Sequence, residues 1–128
     1  MKRHSIEIEG FRHDAPIPAA CKIGQLLVTS VIAGKDPKTG KVPDGMEAQC
    51  ALVFLHVRRV IEAASGTTGD ILKMTVWLKD EAHRKILNQE WLKMFPDADS
   101  RPARHTFTGQ VLPGNILVQV EFWAVLDR

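Results

Sequence analysis

At 128 residues, with 45% hydrophobic and 25% charged side chains, the chain has the size and composition of one folded domain, residues 1–128, and not of a disordered, collagenous or coiled-coil protein. Seventeen Lys and Arg against 15 Asp and Glu leave a net charge of +2 with no basic stripe or tail, which argues against nucleic acid as a partner. The longest apolar run, 50–55, is far below the roughly 18–20 residues of a membrane-spanning helix, and Glu7 and Glu9 interrupt the stretch that a signal peptide would need, so a cytoplasmic protein with no membrane partner is expected.

Alternation over 5–9 predicts a half-buried strand and 26–30 a second, more buried one, with Pro16 and Pro18 marking a loop between them. Asp36-Pro37-Lys38-Thr39-Gly40 is placed as a turn requires. Asp44 followed by Glu47 makes an aspartate version of a capping box. Apolar Cys50, Val53, Val57, Ile61 and Ala64 then recur at helical spacing, which predicts a helix over 45–64 stopped by Gly66. Residues 71–78 read as a strand with Leu72, Met74, Val76 and Leu78 on one face and Lys73, Thr75 and Trp77 on the other. A second helix, capped by Asp80, presents Leu87, Trp91 and Met94 and ends at Pro96. Segments 104–111 and 115–126 read as two strands of a hairpin turning at Leu112-Pro113-Gly114.

The order β-β-α-β-α-β-β is an α+β layout, with two helices on one face of a mainly antiparallel sheet. In the last strand Ile116, Val118, Val120, Phe122, Ala124 and Leu126 form an apolar face suited to lie under the helices. The opposite face mixes Gln119 and Glu121 with Trp123 and Val125. Two helices cannot cover both faces, so the surface carrying Trp123, Val125 and Trp77 is expected to be buried against further copies of the chain.

Familiar catalytic patterns are absent. The five histidines show no zinc-ligand spacing, and no nucleotide-binding glycine loop or Gly-x-Ser-x-Gly elbow occurs, so neither metal nor cofactor is expected. Cys50 lies on the apolar stripe of the first helix, Cys21 has no catalytic histidine in register, and both are expected as reduced thiols. Arg104 stands out because it begins a strand just after Pro102, and a fixed guanidinium matches a carboxylate with two hydrogen bonds. Taken alone, such an arginine more often closes a surface salt bridge.

From about Ala19 to Leu126 the chain resembles the Rid/YjgF family of reactive intermediate deaminases. The resemblance is carried by Val28-Thr29-Ser30, Asp36-Pro37-Lys38-Thr39-Gly40, Glu47-Ala48-Gln49, Val60-Ile61-Glu62-Ala63-Ala64, Gly69-Asp70, the run from Lys73 to Asp80, Arg101-Pro102-Ala103-Arg104, Leu112-Pro113 and Val120-Glu121. It implies a chorismate-mutase-like α+β fold, assembled as a homotrimer with a central barrel and clefts between subunits. It further implies hydrolysis of a carboxylate-bearing imine or enamine to a keto acid and ammonia, with Arg104 gripping the carboxylate and Ser30, Thr106 and Asn88 at cleft positions. Three positions depart from the family's pattern. Ile17 stands near the place of a tyrosine, Val31 in place of a glycine, and Gln119 in place of the glutamate proposed to position the attacking water. An amide orients a water but does not take its proton. Glu121 shares the strand face ~6.5 Å further on, as a substitute base or as a structural glutamate at the trimer interface. Two other readings stand beside this one: a small-carboxylate-binding trimer without turnover, and, ranked last, an endoribonuclease, for which the sequence offers only His105 next to Arg104.

Overall fold

Short runs of β-branched and apolar residues form seven strands across residues 1–127, the portion described by the computed structural model: β1 (Arg3–Ile6), β2 (Ala20–Ile23), β3 (Leu26–Thr29), β4 (Ile32–Ala33), β5 (Ile71–Leu78), β6 (Ala103–Phe107) and β7 (Val118–Val125). Two longer segments with helical periodicity form α1 (Met46–Ala63) and α2 (Arg84–Met94). The strands make one mixed sheet in the order β1-β2-β3-β7-β5-β6, with β4 also paired to β7. All pairings are antiparallel except β5 with β6, which is parallel.

That parallel pair replaces the expected C-terminal hairpin. The path β5, α2, β6 is a strand–helix–strand crossover, which delivers β6 alongside β5 in the same direction. Strand β6 therefore stops at Phe107 on the sheet edge, and β7 occupies the other side of β5. The start of β7 is set by a side chain. Gln49 of α1 accepts the Leu117 N–H at 2.8 Å and donates to the carbonyls of Asn115 and Pro43, both at 2.9 Å. Regular strand begins one residue later, at Val118.

Helix α1 buries Gln49, Cys50, Val53, Val57, Val60 and Ile61 against the sheet, close to the predicted stripe and bounds. Its start differs from the expectation. Gly45 is the N-cap, with no side-chain capping bond, and Asp44 instead accepts from Asn115 Nδ2 at 3.1 Å. At its end Gly66 N–H reaches the Ile61 carbonyl at 2.8 Å and Ser65 N–H the Glu62 carbonyl at 2.9 Å, a Schellman closure. Asp80 does cap, accepting from Ala82 N–H at 2.9 Å, but onto a short 3-10 turn that leads into α2.

Strand β7 buries Val118, Val120, Phe122 and Ala124 under the helices as predicted, while Trp123 and Val125 are exposed. In β5 a bulge between Ile71 and Lys73 turns Ile71 inward and leaves Leu72 59% exposed, the reverse of the expected alternation there. Two short strands, β2 and β4, were not expected. Strand β2 bridges β1 to β3, and β4 presses against α1 where a Cβ on Gly34 would lie 2.4 Å from the Gln49 carbonyl oxygen.

Candidate functional site

Strand β6 and helix α2 hold the arginine. In register, Arg104 pairs with Met74, so its side chain leaves the sheet on the helix-covered face. There Nη2 donates to Asn88 Oδ1 at 2.8 Å, and the guanidinium carbon lies 4.9 Å from the Trp91 ring centroid. Asn88 and Trp91 are three apart on α2 and so share one face. Arg104 Nη1 is buried without a hydrogen-bond partner. No carboxylate compensates the charge, because the ion pairs among the described residues are Arg84–Glu81 and Lys93–Glu90. Burial, with the nearby Arg84 cation, pushes the Arg104 pKa below its ordinary value. A half-buried, uncompensated guanidinium with an unpaired buried donor has the chemistry to take an anion, since such a donor costs stability unless a partner supplies the bond. Thr106, two residues along, leaves β6 on the same face.

A second group of predicted residues gathers elsewhere. Ser30 follows β3 and donates its N–H to the Ala19 carbonyl at 2.9 Å. Val31 and Gln119 line one open cavity of about 450 Å³, together with His13 and Lys35. Ile17 lines an adjoining cavity of about 320 Å³, also bounded by His13. Gln119 pairs with Trp77 and so points to the face opposite Arg104. Within one chain the sheet thus separates the arginine from the glutamine.

Glu121 lies opposite Thr75, one step further along the uncovered face, and does not line the Gln119 cavity. That face also carries Trp77 and Phe107, stacked at 6.4 Å between centroids, with His105 against Phe107 at 4.2 Å. Toward the Lys73 end of the same face, Trp123, Val125 and Leu26 are each nearly half exposed. Sequence reasoning assigned Trp91 to the apolar stripe of α2 without seeing that its ring also backs the arginine, and it passed over His13 for want of any recognisable spacing. Among the described residues, no three His, Cys, Asp or Glu side chains gather as metal ligands. No helix there is long and apolar enough to cross a membrane.

Comparison with known proteins places these groups in context. The family described as Endoribonuclease L-PSP matches residues 13–126. A 2-iminobutanoate/2-iminopropanoate deaminase from Escherichia coli is 31% identical over 111 residues, covering 86% of this chain and 87% of its own. The crystal structure of a putative endoribonuclease from Thermotoga maritima superposes with a TM-score of 0.89 at 26% identity, over 100% of both chains. TdcF from Escherichia coli with bound serine superposes at 0.87 and 26% identity, over 95% of this chain and 98% of its own.

Proposed function

The chain belongs to the endoribonuclease L-PSP family, that of the Rid and YjgF proteins, and from this membership we propose that it deaminates a carboxylate-bearing imine or enamine to a keto acid and ammonia. The observation that carries the proposal is Arg104, a half-buried cation whose one side-chain hydrogen bond among the described residues goes to the neutral Asn88 and whose Nη1 has no acceptor there. A substrate carboxylate supplies that acceptor and neutralises the charge. The imine-deaminase relative and the serine-bound structural neighbour both involve small molecules with a carboxylate next to a nitrogen-bearing carbon, the same chemical handle.

Arg104 and Gln119 leave opposite faces of the sheet, so a site that uses both is built between copies. We infer a homotrimer whose uncovered faces, with Trp77, Trp123 and Val125, turn toward one another and bring Arg104, Asn88 and Thr106 of one subunit against Ile17, Ser30, Val31 and Gln119 of the next. The protein then has little to do beyond orienting substrate and water, because a protonated imine is already electrophilic. Two unpaired cysteines suit a reducing compartment such as the cytosol.

The experiment generates 2-iminopropanoate in situ and follows ammonia release. Wild-type protein is expected to accelerate release, with Arg104→Ala lowering kcat/KM by about 100-fold, the worth of a charge-assisted pair. Equal rates with and without protein would count against the proposal. One observation, Gln119 in the place of a glutamate, favours a second reading as a carboxylate-binding trimer without turnover. That reading predicts saturable, Arg104-dependent binding of 2-ketobutyrate and no ammonia.

A further inference from the structure

We propose that Gln49, buried in α1, is a positioning residue for this reaction. From behind the cavity wall it pins the segments that hold the Gln119 amide, and so places the attacking water; the inference rests on the deaminase reading above. Gln49 is fully buried and is not among the residues that line the Gln119 cavity. Each of its contacts nonetheless falls next to residues that do. Its Nε2 donates to the Pro43 carbonyl, beside Val42, and to the Asn115 carbonyl, beside Ile116, both at 2.9 Å. Its Oε1 accepts the Leu117 N–H at 2.8 Å, two residues before Gln119. Its backbone carbonyl meets a third segment. A Cβ on Gly34 would collide with that oxygen, so Ala33 and Lys35, which flank Gly34 and line the cavity, are seated directly on the helix. The Asn115 side chain ties two of these segments together, donating to the Val42 carbonyl at 2.9 Å.

Gln119 depends on such an anchor because it stands near the ends of two strands. It is the second residue of β7, and its β4 partner, Ala33, is the last residue of a strand of two. Strand ends have few ladder bonds to hold them and open most easily. Strand β5 secures one side, with Trp77 opposite Gln119 and the Lys79 N–H on the Leu117 carbonyl at 3.0 Å. Gln49 secures the other. An amide orients a water but does not take its proton, so placement is all that Gln119 contributes, and an error of ~1 Å in placement costs about 100-fold.

The test is a double-mutant cycle in kcat on 2-iminopropanoate, with Gln49→Met and Gln119→Ala alone and combined, in proteins that sediment as the wild type does. Methionine keeps a side chain of similar length and replaces the amide with a thioether that donates no hydrogen bond. Placement through Gln119 predicts a fall of about 100-fold in kcat for Gln49→Met with KM little changed, because Arg104 still grips the carboxylate. In a protein that already lacks the Gln119 amide, the same substitution is expected to cost less than about threefold. Gln49→Glu, which keeps the acceptor for the Leu117 N–H, is expected to regain at least ~10-fold over Gln49→Met. Equal losses from Gln49→Met with and without the Gln119 amide would show a structural role alone and overturn the proposal. A Gln119→Ala protein as fast as wild type would overturn it too, and both results leave the deaminase reading intact. If Gln49→Met does not fold or assemble, amide exchange in the wild type decides. The Leu117 amide is expected to exchange as slowly as those in the middle of β7, and exchange as fast as at the fully exposed Val111 overturns the proposal. Absence of turnover by the wild type would overturn the deaminase reading and this role with it.

Discussion

His56 shows how a single buried side chain couples charge to the fold. It is fully buried on α1, where Nδ1 accepts from Arg59 Nη1 at 3.2 Å and Nε2 donates to the Lys35 carbonyl. Arg59 extends the chain of bonds to the Glu9 carbonyl, so one imidazole ties the helix to both N-terminal loops. Adding a proton would place a donor on Nδ1 facing the Arg59 donor. Desolvation by burial dominates and lowers the pKa from 6.5, against the opposing effect of the Lys35 carbonyl. Because the folded pKa lies below the unfolded one, the unfolded chain binds the extra proton first. Stability is complete above the unfolded value and declines as pH falls below 6.5 toward the folded pKa. Thermal melts between pH 7.5 and 5 are expected to show this decline, at most about 1.4 kcal/mol per pH unit, and a shallower one in His56→Gln. Equal slopes would show that the imidazole is not responsible. The other buried titratable group among the described residues, Cys50, is pushed up to about 12 by desolvation, which keeps it an inert core thiol.

At the scale of elements, legibility followed the length of the repeating pattern. Helix α1 was readable because apolar residues recur over 18 positions without interruption, enough to outweigh local noise. Strands β2 and β4, with four and two residues, carry too few alternations to register beside Pro16 and Pro18. The pairing of β6 was misread because Leu112-Pro113-Gly114 has turn chemistry, while the crossover through α2 sets β6 beside β5 and Gln49, 68 residues away from Leu117, sets where β7 begins. Periodicity is a local property and cannot see such a bond. Gln49 is fully buried with three partners, and truncation to Ala strands the Leu117 N–H and the Pro43 and Asn115 carbonyls. Denaturant unfolding of Gln49→Ala is expected to show a loss of roughly 3 kcal/mol, the desolvation cost of groups left unpaired. A loss below about 1 kcal/mol would mean that water reaches those groups. Arg104 was legible as a candidate from its motif, whereas the hydrogen bond of His13 to the Val31 carbonyl and the cavity wall they share join residues 18 apart with no pattern between them.

For the whole molecule, the two faces of the sheet have different fates. One is sealed by α1 and α2, with Val76, Val120 and Phe122 fully buried. The other leaves Trp123 49% and Val125 45% exposed across from Leu26, adjoining apolar groups of the kind that subunits cover. Placing a charge in its centre with Trp123→Glu is expected to give a folded monomer by sedimentation, with unchanged far-UV circular dichroism and no deaminase activity. A trimer of unaltered stability would remove this face from the interface.

In the proposed trimer, the division of Arg104 and Gln119 between opposite sides of the sheet makes catalysis a shared property of neighbours. Two crippled proteins, one lacking the guanidinium through Arg104→Ala and one lacking the water-orienting amide through Gln119→Ala, should therefore rescue each other after being unfolded and refolded together. Every mixed ring of three contains one junction where both contributing halves are sound. Random assortment of equal amounts then restores about a quarter of wild-type turnover, whereas the same proteins refolded apart and combined afterwards stay silent until their rings exchange members.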